Sequence, residues 1–149
     1  MIVLDTNIVL DLFVFDDPAV LPLKEALQSQ QLQWIATPAM REELARVLAY
    51  KQIVPRLAYY QRSATDVLAT FDRLVKMVDV APKAHPTCKD PDDQKFIDLA
   101  VAHTTPLLSK DHAVLCMKKR LLPLDVQAQT AIDFVASMAA ETAATETVS

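Results

Sequence analysis

Asp5, Glu43, Asp93 and Asp111 are the residues of this chain best placed to do chemistry, each falling where a short apolar run hands over to a helix. Asp5 stands between Ile2-Val3-Leu4 and Ile8-Val9-Leu10. A carboxylate at the end of a buried strand is costly to desolvate unless a positive partner meets it. Carboxylates converging on one crevice repel one another by roughly 1–4 kcal/mol per close pair. A divalent cation is the simplest counter-charge. Oxygen ligands without paired histidines or thiolates suit Mg²⁺ or Mn²⁺ better than zinc.

Helical phase sorts the neighbouring acids. Glu43 shares a face with Met40 and Val47, whereas Glu42 faces Arg46 one turn on and is expected in a solvent-side ion pair. In Asp90-Pro91-Asp92-Asp93, Asp90 precedes a proline suited to the first helical position and reads as the N-cap. Asp93 stands on the face of Phe96, Ile97 and Ala100 and should point inward, with Asp90 as an accessory ligand and Asp92 in solvent beside Lys95. Thr6, Asn7 and Ser109 are short polar side chains able to orient the acids or to cap helices.

The elements that must position these residues alternate strand and helix. Strands are expected at Ile2–Leu4, Trp34–Ala36, Val78–Val80, Leu107–Leu108 and Leu122–Val126. Helices are expected over 6–13, 18–30, 38–50, 55–77, 90–103 and 111–118, with a last one capped by Thr130 and running through Phe134. This pattern predicts an α/β sandwich around a mainly parallel sheet of four to five strands. Asp5 and Asp111 then share the crevice beyond the carboxyl ends of the strands, where open α/β sheets bind ligands. Residues 1–135 form the expected domain, and the Ala/Thr/Glu-rich stretch over 136–149 reads as a frayed or disordered tail.

Composition narrows the function classes. At 149 residues and 52% hydrophobic, the chain can bury one well-filled core. No apolar run is long enough to span a bilayer, and Met1–Phe15 lacks the basic start of a secretory signal, so a cytoplasmic location is expected. Cys88 and Cys116 form neither a disulfide framework nor a zinc motif. The absence of glycine excludes a Gly-rich phosphate loop and leaves turns to Asp, Asn, Pro and Ser. A net charge of −4 gives no global attraction to nucleic acid. Local basic groups remain as RNA-contact candidates: Arg41, Arg46, Lys51 and Arg56 in one, Lys110, Lys118, Lys119 and Arg120 in the other.

Asp5-Thr6-Asn7 after an N-terminal strand, followed by Glu43, Asp93 and Asp111, resembles the pattern of PIN-domain ribonucleases. Cys88-Lys89-Asp90-Pro91-Asp92-Asp93 and Leu107-Leu108-Ser109-Lys110-Asp111 look like segments of a bacterial (VapC-like) branch of toxin components of toxin–antitoxin systems. The resemblance implies a Rossmann-like three-layer sandwich and Mg²⁺/Mn²⁺-dependent RNA cleavage. Asp5, Glu43, Asp93 and Asp111 would hold the metal, with Thr6, Asn7 and Ser109 in support and Arg41, Arg46 and Lys110 toward RNA. It also implies a small antitoxin partner and homodimerisation.

The chain departs from the pattern at His103-Thr104-Thr105-Pro106, where a glycine is usual, and at His112-Ala113 after the last acid. One alternative is a catalytically silent PIN-like interaction module. A haloacid-dehalogenase-like phosphohydrolase is another, but it requires a second aspartate where Asn7 stands.

Overall fold

A computed structural model describes residues 1–148, with side chains through Glu141. In chain order the regular elements are β1 (Val3–Leu4), α1 (Thr6–Phe13), α2 (Leu21–Gln28), β2 (Trp34–Ala36), α3 (Pro38–Leu48), α4 (Val54–Tyr59), α5 (Ala64–Leu74) and β3 (Val75–Met77). They continue with α6 (Gln94–His103), β4 (Leu107–Leu108), α7 (His112–Leu115), α8 (Lys118–Leu121), β5 (Ala128–Gln129) and α9 (Ala131–Val148). Short 3₁₀ turns over Pro18–Val20, Pro91–Asp93 and Leu122–Leu124 begin with or contain a proline, whose fixed φ suits a helical start.

All strand pairs are parallel: β1-β4-β5 form one sheet and β2-β3 a second. A parallel bridge between Ile2 and Trp34 joins them, with Ile2 N donating to Gln33 O and Ile35 N donating to Ile2 O. The strands thus run in the order 3-2-1-4-5, and the path reverses between β1 and β4. With the usual right-handed crossover, connections running in the two directions would put their helices on opposite faces. The reversal opens a crevice at the carboxyl ends of β1 and β4, the place for a ligand in such sheets. The α/β class and the parallel sheet expected from sequence both hold.

Trp34 anchors the core at 1% exposure, stacked on Phe13 with centroids 5.9 Å apart and edge-on to Phe71 at 5.0 Å. Trp34→Ala should lower the unfolding free energy by about 3–5 kcal/mol, read from denaturant titration, because the cavity cannot close. A loss below about 1 kcal/mol would show that β2 does not organise this core.

Several expected boundaries move. The single helix predicted over 55–77 breaks into α4 and α5. Ser63 caps α5 by accepting from Asp66 N, and Gln61 turns the chain at φ 55°. The third strand is Val75–Met77 rather than Val78–Val80, since Val75 pairs with Trp34 and Met77 with Ala36. Pro123 turns Leu122–Leu124 into a 3₁₀ segment, so the fifth strand comes later, at Ala128–Gln129. The helix predicted over 111–118 is two short ones, α7 and α8. Thr130 caps α9 as expected, its Oγ1 accepting from Asp133 N, and α9 continues past Phe134. Of the tail expected over 136–149, the backbone through Val148 lies in α9, and Ser149 lies outside the described residues.

With no glycine, left-handed turns fall to Asp16, Gln30, Gln61, Thr104 and Asp125. Gln and Thr were not among the residues expected there. Thr104 ends α6 at φ 52°, and a β-branched residue is a poor fit to that region. Thr104→Gly should stabilise the protein by roughly 1 kcal/mol in thermal or denaturant unfolding. Destabilisation would mean that the methyl and hydroxyl make contacts worth more than the strain.

Candidate metal centre

Asp5 is the N-cap of α1 and 4% exposed. Its Oδ1 accepts from Thr6 N at 2.7 Å, and its Oδ2 accepts from Ser109 Oγ at 2.6 Å. Ser109 is fully buried at the end of β4, and its Oγ also accepts from Asp111 N at 3.0 Å. One hydroxyl therefore ties the ends of the two central strands together. Asp111 caps α7, its Oδ1 accepting from Ala113 N at 2.9 Å. The N-cap role and a place in the site coexist for both aspartates, because a cap uses only one carboxylate oxygen.

Asp93 arrives from the other side of the crevice. Asp90 caps the Pro91–Asp93 turn by accepting from Asp92 N at 3.0 Å, and the turn places Asp93 at the start of α6. Phe96, Ile97 and Ala100 are buried on the same helix, which directs Asp93 inward at 7% exposure. Its Oδ2 is buried without a hydrogen-bond partner among the described residues. Carboxylate oxygens of Asp5, Asp93 and Asp111 all lie within 4.8 Å of one another.

Three such charges repel by about 3–4 kcal/mol per pair at an effective dielectric near 20. Burial, more than any neighbour, raises the Asp93 carboxyl to about 8, with Asp5, Asp111 and Asp90 adding to the effect. Burial also raises Asp5 above the usual carboxylate range, although the hydrogen bonds from Ser109 and Thr6 oppose it. Glu43 and Asp111 push Asp5 further up. An inward-facing, unpartnered oxygen in an all-carboxylate cluster fits a hard divalent cation, which would satisfy that oxygen and cancel the repulsion.

Glu43 is not part of the three-aspartate cluster. Its Oε2 accepts from Thr6 Oγ1, and its Oε1 accepts from Lys95 Nζ at 2.8 Å. The side chain is 15% exposed, so it leans inward as expected, one residue removed from Asp5 through Thr6. Glu42 is exposed, but the expected ion pair with Arg46 does not form among the described residues, and Arg46 extends into solvent. Asn7 is half-buried, and its Oδ1 lacks a hydrogen-bond partner among the described residues.

The sequence places Lys95 beside Asp92 and gives no pairing with Glu43. Lys95 also donates to Asp92 O, so it spans both sides of the crevice mouth. Only its two-residue spacing from Asp93 hinted at this, because Glu43 lies 52 positions away. Arg41 and Lys110 are already engaged: Arg41 holds Asp72 through two hydrogen bonds of 2.7 and 2.9 Å, and Lys110 holds Asp11 at 2.9 Å.

Comparison with known families places this chain. Residues 1–113 match the PIN domain, so the chain belongs to the PIN-domain family. The match takes in Asp5, Glu43, Asp93 and Asp111. A comparison with curated proteins gives no match. Among the described residues, no helix is long and apolar enough to cross a membrane.

Proposed function

We propose that this chain is a metal-dependent endoribonuclease that hydrolyses RNA phosphodiester bonds and acts as the toxin of a toxin–antitoxin pair. The observation that carries the reading is the convergence of Asp5, Asp93 and Asp111 within 4.8 Å in a PIN-domain chain. These three would hold Mg²⁺ or Mn²⁺, with Asp90 and Glu43 alongside. The bound ion would supply an activated water and a positive charge against the leaving oxygen.

The chain's own residues set the geometry. Ser109 locks the Asp5 carboxylate and the Asp111 backbone into one frame. Thr6 and Lys95 hold Glu43 beside that frame, and the Lys95 ammonium partly offsets its charge. The motifs Asp90-Pro91-Asp92-Asp93 and Ser109-Lys110-Asp111 favour the toxin branch, with a small antitoxin and a second copy of the chain as partners in the cytoplasm.

The test is cleavage of single-stranded RNA by purified protein in Mn²⁺, abolished by EDTA and restored by excess Mn²⁺. Absence of cleavage, with metal binding confirmed by calorimetry, would leave an interaction module instead. Growth arrest on induction, relieved by Asp5→Asn, tests the toxin role separately.

A further inference from the structure

We infer that the surface around Tyr50, Tyr59 and Tyr60 is a platform on which single-stranded RNA stacks as it leaves the acidic centre; the inference rests on the ribonuclease reading for the identity of its ligand. The chain has only three tyrosines, and all lie between positions 50 and 60. They are 45%, 80% and 37% exposed, so they are not core residues. From Arg46 to Arg62 there is no acidic residue, while Arg46, Lys51, Arg56 and Arg62 are all exposed. This basic stretch belongs to a chain whose net charge is −4.

The patch is ordered and its cations are largely uncommitted. Arg56 lies 3.7 Å over the Phe15 ring, Phe15 packs on Tyr60 at 5.8 Å, and Tyr59 meets Tyr60 edge-on at 5.0 Å. Among the described residues, Arg46, Lys51 and Arg56 have no acidic partner, and Arg62 reaches Asp16 only at 3.6 Å. Arg41 and Lys110, in contrast, are already paired.

Its position links it to the acid cluster. Glu43 leans inward from α3, Arg46 lies on the exposed side of the same helix, and Tyr50 follows just after its C-terminal end. The eight-residue α1, capped by Asp5, extends about 12 Å toward Phe15. Both α1, capped by Asp5, and α3, which carries Glu43, thus lead from the acid cluster to this part of the chain. Bases of any sequence stack on exposed tyrosine rings while the cations follow the phosphates. Run-on basic charge without a single acid favours a polyanion as the occupant, and the oligomeric state separates it from a protein contact, where Tyr and Arg are also common.

The test measures the affinity of a fluorescein-labelled oligo-uridine of about twelve nucleotides by anisotropy, in an Asp5→Asn background so that the RNA survives. Tyr59→Ala should weaken binding about 5- to 30-fold, Tyr59→Phe should restore it, and the loss should shrink for an RNA of about four nucleotides. Lys51→Gln should lower the salt slope by about one. Unchanged affinity in Tyr59→Ala overturns the platform. So does a change of oligomeric state by light scattering with RNA affinity intact, which would mark a protein contact. The two readings fail separately. Tyr59-dependent binding without any cleavage by the parent protein in Mn²⁺ would sink the ribonuclease reading and keep the platform. Cleavage that ignores Tyr59→Ala would do the reverse.

Discussion

Replacing Asp93 with Asn should make the metal-free protein more stable and remove most of its response to divalent cations. Asp93 is nearly buried, its Oδ2 has no partner among the described residues, and burial with three acidic neighbours holds its carboxyl at about 8. Asparagine keeps the shape, removes the charge, and offers an amide to the carboxylates of Asp5 and Asp111. At neutral pH the gain should be on the order of a few kcal/mol in denaturant titrations with EDTA. Wild type at a cation concentration about 100 times its Kd should gain about 2.7 kcal/mol, and the variant far less. A less stable Asp93→Asn protein in EDTA, or an equal response to Mg²⁺, would show that Asp93 is a structural acid and not a ligand.

The same residue gives stability a pH dependence of definite sign. The folded-state pKa is raised from 3.8 to about 8, so between these values the folded chain holds a proton that the unfolded chain has released. Stability of the metal-free protein should therefore fall as pH rises through that window, at up to about 1.4 kcal/mol per pH unit from this group. Below pH 3.8 both states are protonated and the group contributes nothing to the slope. Above about 8 both are ionised and the loss is complete. A cation binds the ionised form, so stabilisation by Mg²⁺ or Mn²⁺ should grow over the same range. Thermal melts at pH 5.5, 7 and 8.5 (about 1.5 units apart), with and without Mn²⁺, check both signs.

What could be read in advance depended on how local each signal was. Asp5 and Asp111 follow apolar runs directly, and β1, β2 and β4 fall where those runs predicted them, apart from one residue at the start of β1. Helical phase was enough to turn Asp93 inward and leave Glu42 in solvent, because both depend on neighbours within two turns. The link between Glu43 and Lys95 spans 52 positions and exists only once α3 and α6 meet across the crevice. The break between α4 and α5 has a local signal, Ser63 with Asp66 three residues on, which a single helix over 55–77 runs through. Thr104 in a left-handed turn was hidden for a different reason. A chain without glycine must place ordinary residues at positive φ, and no side chain marks which.

Asp5→Asn should lower RNA cleavage in Mn²⁺ by roughly two to four orders of magnitude while leaving the fold intact. The magnitude follows from losing several kcal/mol of transition-state charge stabilisation at about 1.4 kcal/mol per decade. The fold should survive because asparagine caps helices as well as aspartate does. Its Oδ1 can still accept from Thr6 N, and its amide can donate to the oxygen of Ser109, whose hydroxyl donates to Asp5 Oδ2 in the parent. Burial already disfavours the charged form of Asp5, so removing that charge relieves repulsion rather than breaking an ion pair. A circular-dichroism melt no lower than that of the parent, beside a collapsed cleavage rate, separates lost chemistry from lost structure. Cleavage within about threefold of the parent at saturating Mn²⁺ would remove Asp5 from the reaction. The centre would then rest on Asp93 and Asp111, with Asp5 reduced to the cap of α1.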